Sequence, residues 1–442
     1  MADRIYESSS DYIIKSVLIQ KGSNVAEIRN SVVQLEIFEN IELPYLTGKL
    51  YFKDDAGAFD SIGFDGVETC EIVFSQPKPG SNDIRKKFVV KSVLDTMKIN
   101  DLGEAISLYL IEKVGYDGSI DRFSKSYTGT PLEIINKIAT EKLGVTINQP
   151  SVKPVQKTMK VVIPFLTPLE AIAFVMERMS TKDGLPYYFY SAMNNSLLQI
   201  KSLEELLKSK PWNEKKPYRY SRAFTQGHTN NNDPKDAFVV QKYYAPTKAE
   251  DTLDLIVNGS IGGNFSVIDA TTGRFETKHF DITKIFSKLE SNGVVPKGLT
   301  KVIETRYDGK DLHSLQSLNV CRSVMVNTYE NVNNYYQEDT LDLFELDMVK
   351  KAIKSILFKS PINLKVSGAP YLLGINQSIG RQIEYFHLNN NLQGTEGVNG
   401  SEDKVKDKKR SGIYMIFSAH HTFFATRHTT ELSAVKLGKE SR

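Results

Sequence analysis

At 442 residues the chain exceeds the size at which one hydrophobic core keeps growing, so we expect two to four domains. The formal net charge is only +3, and Lys and Arg are scattered among nearly as many Asp and Glu, which gives little support to strong nucleic-acid binding. No apolar stretch approaches the length of a membrane span and residues 1–10 are polar, so we expect no membrane anchor and synthesis in a reducing cytosol.

Only two cysteines occur, Cys70 and Cys321, and they lie far apart in the sequence among apolar neighbours. Two buried free thiols are the favoured interpretation. A disulfide between them is the alternative.

The first part of the chain, residues 17–110, is predicted to consist of β-strands. Apolar and β-branched runs of strand length are separated there by Asp-Gly, Pro-Gly and Asn-Asp turn signals. The predicted strands are residues 32–39, 49–54, 68–74, 87–95 and 104–111. Such a series predicts an all-β domain, an antiparallel barrel or sandwich.

The pattern changes after Gly118, where the tetrapeptide Thr-Pro-Leu-Glu occurs twice, at residues 130–133 and 167–170. In each copy Thr is placed to cap a helix, Pro occupies the first helical position, and Glu reaches back to the cap. Two helices are therefore predicted, the first ending at Gly144 and the second at Gly184. With a short hairpin at residues 185–200, they predict a small α+β domain.

Strand patterns return from residue 218 onward. The predicted strands and strand-like segments are residues 237–244, 259–263, 265–269, 277–281, 362–368, 375–379 and 382–388. Residues 286–335 are weakly periodic, whereas residues 341–358 have the apolar spacing of a helix. Residues 389–410 are rich in Asn, Gly, Glu and Lys, and predict a mobile loop between two strands.

The C-terminal residues carry the strand signal around which the chain is organised. Residues 412–424 form an uninterrupted run rich in aromatic and β-branched side chains, and a second alternating segment, residues 429–437, follows residues 425–428. A strand that is apolar on both faces is typical of the inside of a barrel or ring. We interpret the two segments as the closing hairpin of a β-barrel.

Three motifs, taken with this order of elements, resemble a known family. They are the repeated Thr-Pro-Leu-Glu helix starts, the turn at residues 366–374 (Val-Ser-Gly-Ala-Pro-Tyr-Leu-Leu-Gly), and Gly412-Ile413-Tyr414 followed by His420. The chain resembles the baseplate central hub protein of contractile-tailed phages and, more distantly, the hub region of type VI secretion spike proteins.

The resemblance implies a fold that is mainly β with α+β parts: two tail-tube-like antiparallel β-barrels, a small α+β domain and an accessory helical or mixed region. The implied domains are residues 1–117 (first barrel), 118–214 (α+β), 215–285 together with 360–442 (second barrel), and 286–359 (accessory insertion). The long segment 281–340 and the 389–411 loop fit the family pattern less well, so the last domain boundary stays open.

The resemblance also implies a structural virion protein that assembles as a homotrimer. Three chains with two similar halves supply six barrels, so a threefold object can match a sixfold one. The expected partners are its own copies, the hexameric tail tube, the trimeric central spike and other baseplate proteins, with DNA passing through the lumen without specific binding. The expected location is the tail baseplate, after assembly in the host cytoplasm.

Candidate chemistry was sought in the histidines near the C-terminus. His420, His421 and His428 suggest a metal site, but neighbouring strand residues point to opposite faces and no Cys or paired carboxylate lies nearby in the sequence. We therefore expect strand histidines with structural partners, and no metal.

Other polar residues are explained without catalysis. The glycines at 259, 262 and 263 lack the strand-to-helix context of a phosphate loop and suggest a turn or bulge. Glu133 and Glu170 are explained by capping, and Ser411 and Ser418 lack a nucleophile elbow. No catalytic residue, cofactor or metal is predicted, and the protein is expected not to be an enzyme.

Two further features keep alternative interpretations. The basic run at residues 404–410 is a solvated loop tip, or else a contact with an acidic neighbour or a patch facing the lumen. Trp212, at a predicted domain boundary, is expected to pack between domains rather than to stack on a ligand. For the whole protein, a tail-associated cell-wall hydrolase and a carbohydrate-binding module are the alternatives to a hub.

Overall fold

A computed structural model provides the fold. It describes residues 11–77, 82–98, 103–156, 158–195, 197–220, 237–245, 252–257, 259–269, 275–295, 306–311, 324–326, 341–357, 361–372, 378–387, 407 and 410–438. Among these residues there is no helix long and apolar enough to cross a bilayer.

The strands in chain order are β1 (Ile13–Lys21), β2 (Asn24–Glu27), β3 (Val32–Asn40), β4 (Thr47–Asp54), β5 (Thr69–Ser75), β6 (Ile84–Lys98), β7 (Glu104–Glu112), β8 (Phe123–Gly129), β9 (Ile147–Asn148), β10 (Met159–Leu166), β11 (Tyr187–Tyr190), β12 (Leu198–Ser202), β13 (Tyr218–Tyr220), β14 (Lys242–Tyr244), β15 (Gly262–Asp269), β16 (Phe275–Asp281), β17 (Arg306–Tyr307), β18 (Lys310–Asp311), β19 (Val324–Val326), β20 (Pro361–Ser367), β21 (Gln382–His387), β22 (Gly412–Phe424) and β23 (Arg427–Gly438).

The helices are α1 (Ala58–Ile62), α2 (Lys113–Asp117), α3 (Pro131–Ile138), α4 (Pro168–Met176), α5 (Leu203–Lys208), α6 (Thr252–Val257), α7 (Ile282–Ser291), α8 (Leu341–Leu357) and α9 (Ala369–Leu372). A 3₁₀ turn, Arg29–Ser31, precedes β3, and a π-helical turn, Ala139–Leu143, extends α3.

Thirteen strands form one large sheet that runs through both ends of the chain. Its main order is β14-β20-β23-β22-β3-β4-β7-β6-β5-β1-β2, and β21 pairs with both β22 and β13. The predicted C-terminal hairpin, β22 and β23, is present, but it lies inside this sheet. Among the described strands no closed barrel is found, so the closing role expected for this hairpin remains a prediction.

The two halves of the large sheet have the same strand order. We call β1 and β3–β7 the N-terminal half, and β13, β14 and β20–β23 the C-terminal half. Numbered along the chain within each half, the strands lie in the order second, third, sixth, fifth, fourth, first in both halves. Four of the five pairings are antiparallel in both. The exception is the last one, because β5 pairs antiparallel with β1 whereas β21 pairs parallel with β13.

In each half a backbone hydrogen bond joins the first strand to a residue that shortly precedes the second strand. The amide of Ile28 donates to the carbonyl of Val17 at 2.9 Å, and the amide of Val240 donates to the carbonyl of Arg219 at 2.9 Å. Arg219 also forms an isolated parallel bridge with Val239. Each half is therefore curled toward itself, although no ladder joins its two ends.

A smaller unit of mixed structure lies between the halves in the sequence. It contains the two-stranded sheet β10-β8, the three-stranded sheet β11-β12-β9, and helices α3, α4 and α5. Both predicted capping boxes are present. The amide of Glu133 bonds the Thr130 hydroxyl, the amide of Glu170 bonds the Thr167 hydroxyl, and each Glu carboxylate accepts from the amide of its Thr at 2.9 Å.

Two clusters of buried apolar side chains reflect this organisation. One extends through both halves of the large sheet and includes side chains of α7 and α8. The other belongs to the middle unit and contains, for example, Ile135, Ile172 and Ile200. The exact domain boundaries given from the sequence remain predictions.

Several predicted elements differ in detail. Helix α4 ends at Met176, well before Gly184, and the predicted strand 237–244 is regular only in β14. The C-terminal hairpin has a shorter turn than expected, because residues 427 and 428 already belong to β23. The predicted loop 389–406 lies outside the described residues, as does most of the predicted strand 375–379.

Candidate assembly interface

Strand β22 is the element that joins the two halves, because it changes neighbour along its length. Residues 412–415 pair with β21, and residues 418–424 pair with β3 of the N-terminal half. The change takes place at a bulge around Phe417. There the amide of Ile416 donates to the carbonyl of Arg381 at 3.0 Å, and the amide of Ile41 donates to the carbonyl of Phe417 at 2.9 Å.

Aromatic side chains fill both faces of this junction. The ring of His420 stacks on Phe38, with centroids 4.2 Å apart, and its Nε2 lies 3.3 Å from Glu36. On the other face, Phe423 stacks on His428 at 4.1 Å and contacts Phe74 at 5.3 Å. The halves are therefore joined by a hydrogen-bonded ladder and by packed rings.

A buried polar network crosses the same junction. Glu39 Oε2 lies 3.4 Å from His421 Nε2, and His421 Nδ1 lies 3.3 Å from His428 Nε2 and 3.0 Å from the Thr430 hydroxyl. The other carboxylate oxygen of Glu39 accepts a hydrogen bond from the amide of Met193 in the middle unit. The network thus ties together all three parts of the chain.

Burial lowers the pKa of two histidines at the junction, His428 and His420. It lowers the pKa of His428 well below the usual value, and the neighbouring His421 adds to that effect. Burial also lowers the pKa of His420, against the opposing influence of Glu36 and Glu431. His428 is therefore neutral at physiological pH.

Strand β6 occupies the same position in the N-terminal half as β22 does in the C-terminal half, since each is the fifth strand of its half. Its first residues, 84–89, pair with β5, and the amide of Val90 then donates to the carbonyl of Glu68 at 2.8 Å. Beyond this point residues 91–98 pair with β7 on one side, and no described strand pairs with them on the other. Their side chains are exposed, including Val93 (37%), Leu94 (49%) and Met97 (60%).

A cleft of about 830 Å³ lies between the middle unit, the turn after β3 and helix α8. Two of its carboxylates already have partners: Asp347 binds Lys350 and Lys351 at 2.7 and 2.8 Å, and Glu170 caps α4. Burial alone would raise the pKa of Asp347, but the two lysines lower it below its usual value. A general acid needs the opposite shift, so these carboxylates are poorly suited to acid catalysis.

The histidines singled out in the sequence have structural partners. His420 binds Glu36 on one face of β22, and His421 and His428 belong to the buried network on the other face. Among the described residues, no cluster of His, Cys, Asp and Glu could hold a metal ion.

The remaining candidates also have local structural roles. Gly259 ends the turn after α6 with φ of 66°, and Gly262 and Gly263 begin strand β15 rather than a helix. The Ser411 hydroxyl binds the backbone of His387, and Ser418 pairs with Asn40 and Ser433 in the sheet.

The cysteine prediction is tested for one residue. Cys70 is a buried free thiol, as predicted, and burial raises its pKa to about 12, which makes it unreactive. Cys321 lies outside the described residues.

Trp212 packs against the C-terminal half, and the expected position between two domains remains a prediction. Its ring contacts Tyr218, Phe238 and Tyr371 with centroids 5.9 to 6.0 Å apart. Most of the basic run 404–410 lies outside the described residues. Its Arg410 is 3.5 Å from Asp407.

The sequence did not reveal that one sheet passes through both halves. Glu39 lies in the predicted strand 32–39 and most of β6 in the predicted strand 87–95, and neither was expected to take part in a junction. The available signals were the unusual length of β6 and the apolar residues Val93, Leu94 and Met97 within an otherwise polar stretch. Both become informative only after the strand order of the other half is known.

One large sheet with two curled halves of the same strand order, joined by the pairing of β22 with β3, defines a tail-protein-like fold. Among solved structures, the chain is similar to the tail protein from Neisseria meningitidis MC58, with a TM-score of 0.53, 11% identity, and coverage of 97% of this chain and 98% of that one. It is similar to the 43 kDa tail protein of prophage MuSo2 from Shewanella oneidensis, with a TM-score of 0.50, 11% identity, and coverage of 96% and 100%. A chain of the Francisella PdpA-VgrG complex aligns at a TM-score of 0.49 and 10% identity, covering 99% of this chain and 55% of that one.

Neither the family models nor the curated proteins gave a match to the sequence. The likeness to the two tail proteins concerns the fold, because the identities are low. At that level the resemblance to phage tail proteins, first indicated by the sequence motifs, is confirmed.

Proposed function

We propose that the protein is the structural hub of a contractile phage tail baseplate, a homotrimer that adapts the hexameric tail tube to the trimeric central spike. The observation that carries the proposal is the repeated strand order of the two halves. Three such chains present six halves of similar design, so a ring of three copies offers a sixfold pattern toward the tube and keeps threefold symmetry toward the spike.

In this proposal the halves complete tube-like barrels within the ring, and the middle unit and the segment 286–359 are accessory parts. The curl of each half, held by the bonds to Val17 and Arg219, supports barrel formation. The ring would surround a lumen through which DNA passes without specific binding. The protein would belong to the virion tail, next to tube, spike and other baseplate proteins.

The proposed role is not enzymatic. In the cleft beside helix α8, Asp347 binds two lysines and Glu170 caps a helix, which supports a structural role over a cell-wall hydrolase. We expect no release of fragments from purified peptidoglycan, and measurable hydrolysis would refute this part of the proposal.

Light scattering of the purified full chain tests the oligomeric state. We expect one species at three times the chain mass of 49.8 kDa at micromolar concentration. A monodisperse monomer under those conditions would contradict the proposed function.

A further inference from the structure

We propose that the exposed end of β6 pairs antiparallel with strand β14 of a neighbouring copy, with Met97 opposite Tyr244 and Lys98 opposite Tyr243. This inference rests on the proposed homotrimer and specifies its subunit contact. It follows from the internal repeat, because the chain already shows the same junction once, between β22 and β3.

The first step establishes that β6 and β22 are equivalent residue by residue where they change neighbour. The ladder between β5 and β6 ends at Val89, and the ladder between β21 and β22 ends at Met415. In β6 the next amide, that of Val90, donates to the carbonyl of Glu68, the residue before β5. In β22 the next amide, that of Ile416, donates to the carbonyl of Arg381, the residue before β21. A bulge follows directly in both. Residues 91–98 of β6 therefore correspond to the part of β22 that binds β3.

The second step fixes the position of Met97. Strand β6 has an additional irregularity between Val93 and Asp95, so simple counting along the strand is misleading. The neighbouring strand gives the register instead. Met97 of β6 lies opposite Ala105 of β7. The residue of β23 that is equivalent to Ala105 is Thr429, and Thr429 lies opposite Thr422 of β22. Met97 thus takes the place of Thr422.

The third step identifies the residue opposite Met97. Within the chain, Thr422 lies opposite Glu36 of β3. Glu36 pairs with Lys49 in the third strand of its half, and Tyr244 pairs with Asn363 in the third strand of the other half. Lys49 pairs with Tyr109 of β7, and Asn363 pairs with Ser433 of β23. Tyr109 and Ser433 are equivalent, because they lie opposite the residues that follow the bulges of β6 and β22. Tyr244 therefore takes the place of Glu36.

The chemistry of the two edges suits this pairing. Met97 and Tyr244 are 60% and 58% exposed in the single chain, and a cross-strand contact would cover both. The outer side of β14 is not paired with any described strand. Three apolar side chains, those of Val93, Leu94 and Met97, follow the exposed edge of β6 within five residues.

The same geometry makes Met97 and Tyr244 a good pair for a disulfide. Ile41 bonds the carbonyl of Phe417, so these two form a hydrogen-bonded pair, and bonded and non-bonded pairs alternate along an antiparallel ladder. Thr422 and Glu36 lie five positions further along and form a non-bonded pair, in which the side chains are closest. Their proposed equivalents share this geometry.

Cross-linking of the full-length double variant Met97→Cys/Tyr244→Cys tests the proposal. Under mild oxidation we expect non-reducing gels to show most of the protein as covalent dimers and circular trimers, which reducing agent converts to single chains. The matched control is Thr96→Cys/Tyr244→Cys, shifted by one residue on β6, for which we expect at least tenfold less cross-linked product because the side chains of 96 and 97 face opposite sides. The wild type and the single variants give the background from native cysteines.

Light scattering of the reduced double variant separates the two proposals. A trimer that cross-links at 97 and 244 supports both. A trimer without this cross-link, or with equal or stronger linkage in the Thr96 control, overturns the proposed contact and leaves the hub function standing. A monomer overturns both.

Discussion

At the scale of single residues, Glu39 connects the middle unit to both halves of the sheet. Its carboxylate accepts from the amide of Met193 and lies against His421, both in surroundings closed to solvent. A buried donor that loses its acceptor retains the full cost of its removal from water. Glu39 therefore couples the middle unit to the sheet, in addition to supporting its own strand.

Replacement of this residue, Glu39→Ala, is expected to lower the free energy of unfolding by about 2 to 4 kcal/mol, because it leaves two buried polar groups without their partner. Urea denaturation measures the change. The control is Glu42→Ala, three residues further on and exposed, for which we expect a change within about 0.5 kcal/mol. Equal effects of the two substitutions would contradict the assigned role of Glu39.

His428 predicts a direction for the pH dependence of stability. Its pKa in the folded protein is well below 6.5, whereas a histidine in an unfolded chain titrates near 6.5. As the pH falls below about 6.5 the unfolded state binds a proton that the folded state does not, so stability decreases. We expect the thermal midpoint to be constant between about pH 8 and 7 and to decrease toward pH 5.

The variant His428→Gln tests which group is responsible. It should unfold at a lower temperature than the wild type at pH 8, and its midpoint should fall less between pH 7 and 5. Some dependence will remain, because burial also lowers the pKa of His387 and His420. An unchanged slope would show that His428 does not contribute.

At the scale of secondary-structure elements, the ladder between β22 and β3 holds the halves together. Phe423 and Phe424 are neighbours in β22 with opposite environments, since the first is 1% exposed and the second 52%. Phe423 contacts Tyr12 and Phe74 of the other half with centroids 5.1 and 5.3 Å away. The two residues form a natural matched pair.

We expect Phe423→Ala to lower the free energy of unfolding by about 3 to 5 kcal/mol, because it removes a buried ring between the halves. Phe424→Ala should cost less than about 1 kcal/mol. Urea denaturation followed by tyrosine fluorescence measures both, and a larger effect of Phe424→Ala would contradict the packing described for this junction.

The capping boxes allow a second test at this scale. Thr167→Ala removes the side-chain cap of α4 and is expected to cost about 1 kcal/mol of stability. Thr167→Ser keeps the hydroxyl and should lower the stability by only about 0.3 kcal/mol. A thermal-denaturation comparison in which the Ser variant is as unstable as the Ala variant would assign the loss to the missing methyl group instead.

These elements also show what the sequence could predict. Capping boxes are local, so Thr130, Thr167 and their glutamates disclosed both helix starts. Strands β3 to β7 and β20 to β23 were found because each carries its own pattern of apolar residues. Their order in the sheet depends on contacts between residues hundreds of positions apart, such as His420 and Phe38, and no local pattern encodes such a pair.

Bulges and long strands account for most of the remaining differences. At the bulge around Phe417, β22 stops pairing with β21 and begins to pair with β3. The hairpin therefore forms ladders with strands of both halves. The sequence shows only a continuous apolar run, which equally fits the closing hairpin of a barrel. The junction network was missed for the same reason, since Glu39 and His421 meet only in the folded sheet.

At the scale of the whole molecule, the two halves are related but not identical. Their common strand order links residues 13–112 with residues 218–438, whereas the opposite direction of β1 and β13 distinguishes them. A ring of three chains would therefore alternate between two kinds of half. It would also alternate between two kinds of junction, one within the chain and one between chains.

The most direct test of the central claim is electron microscopy of the purified full chain. The account predicts ring-shaped particles of three chains with a central opening and six similar lobes, formed by halves that the single chain already shows to be repeated. Isolated single chains, or closed particles without threefold symmetry, would contradict it.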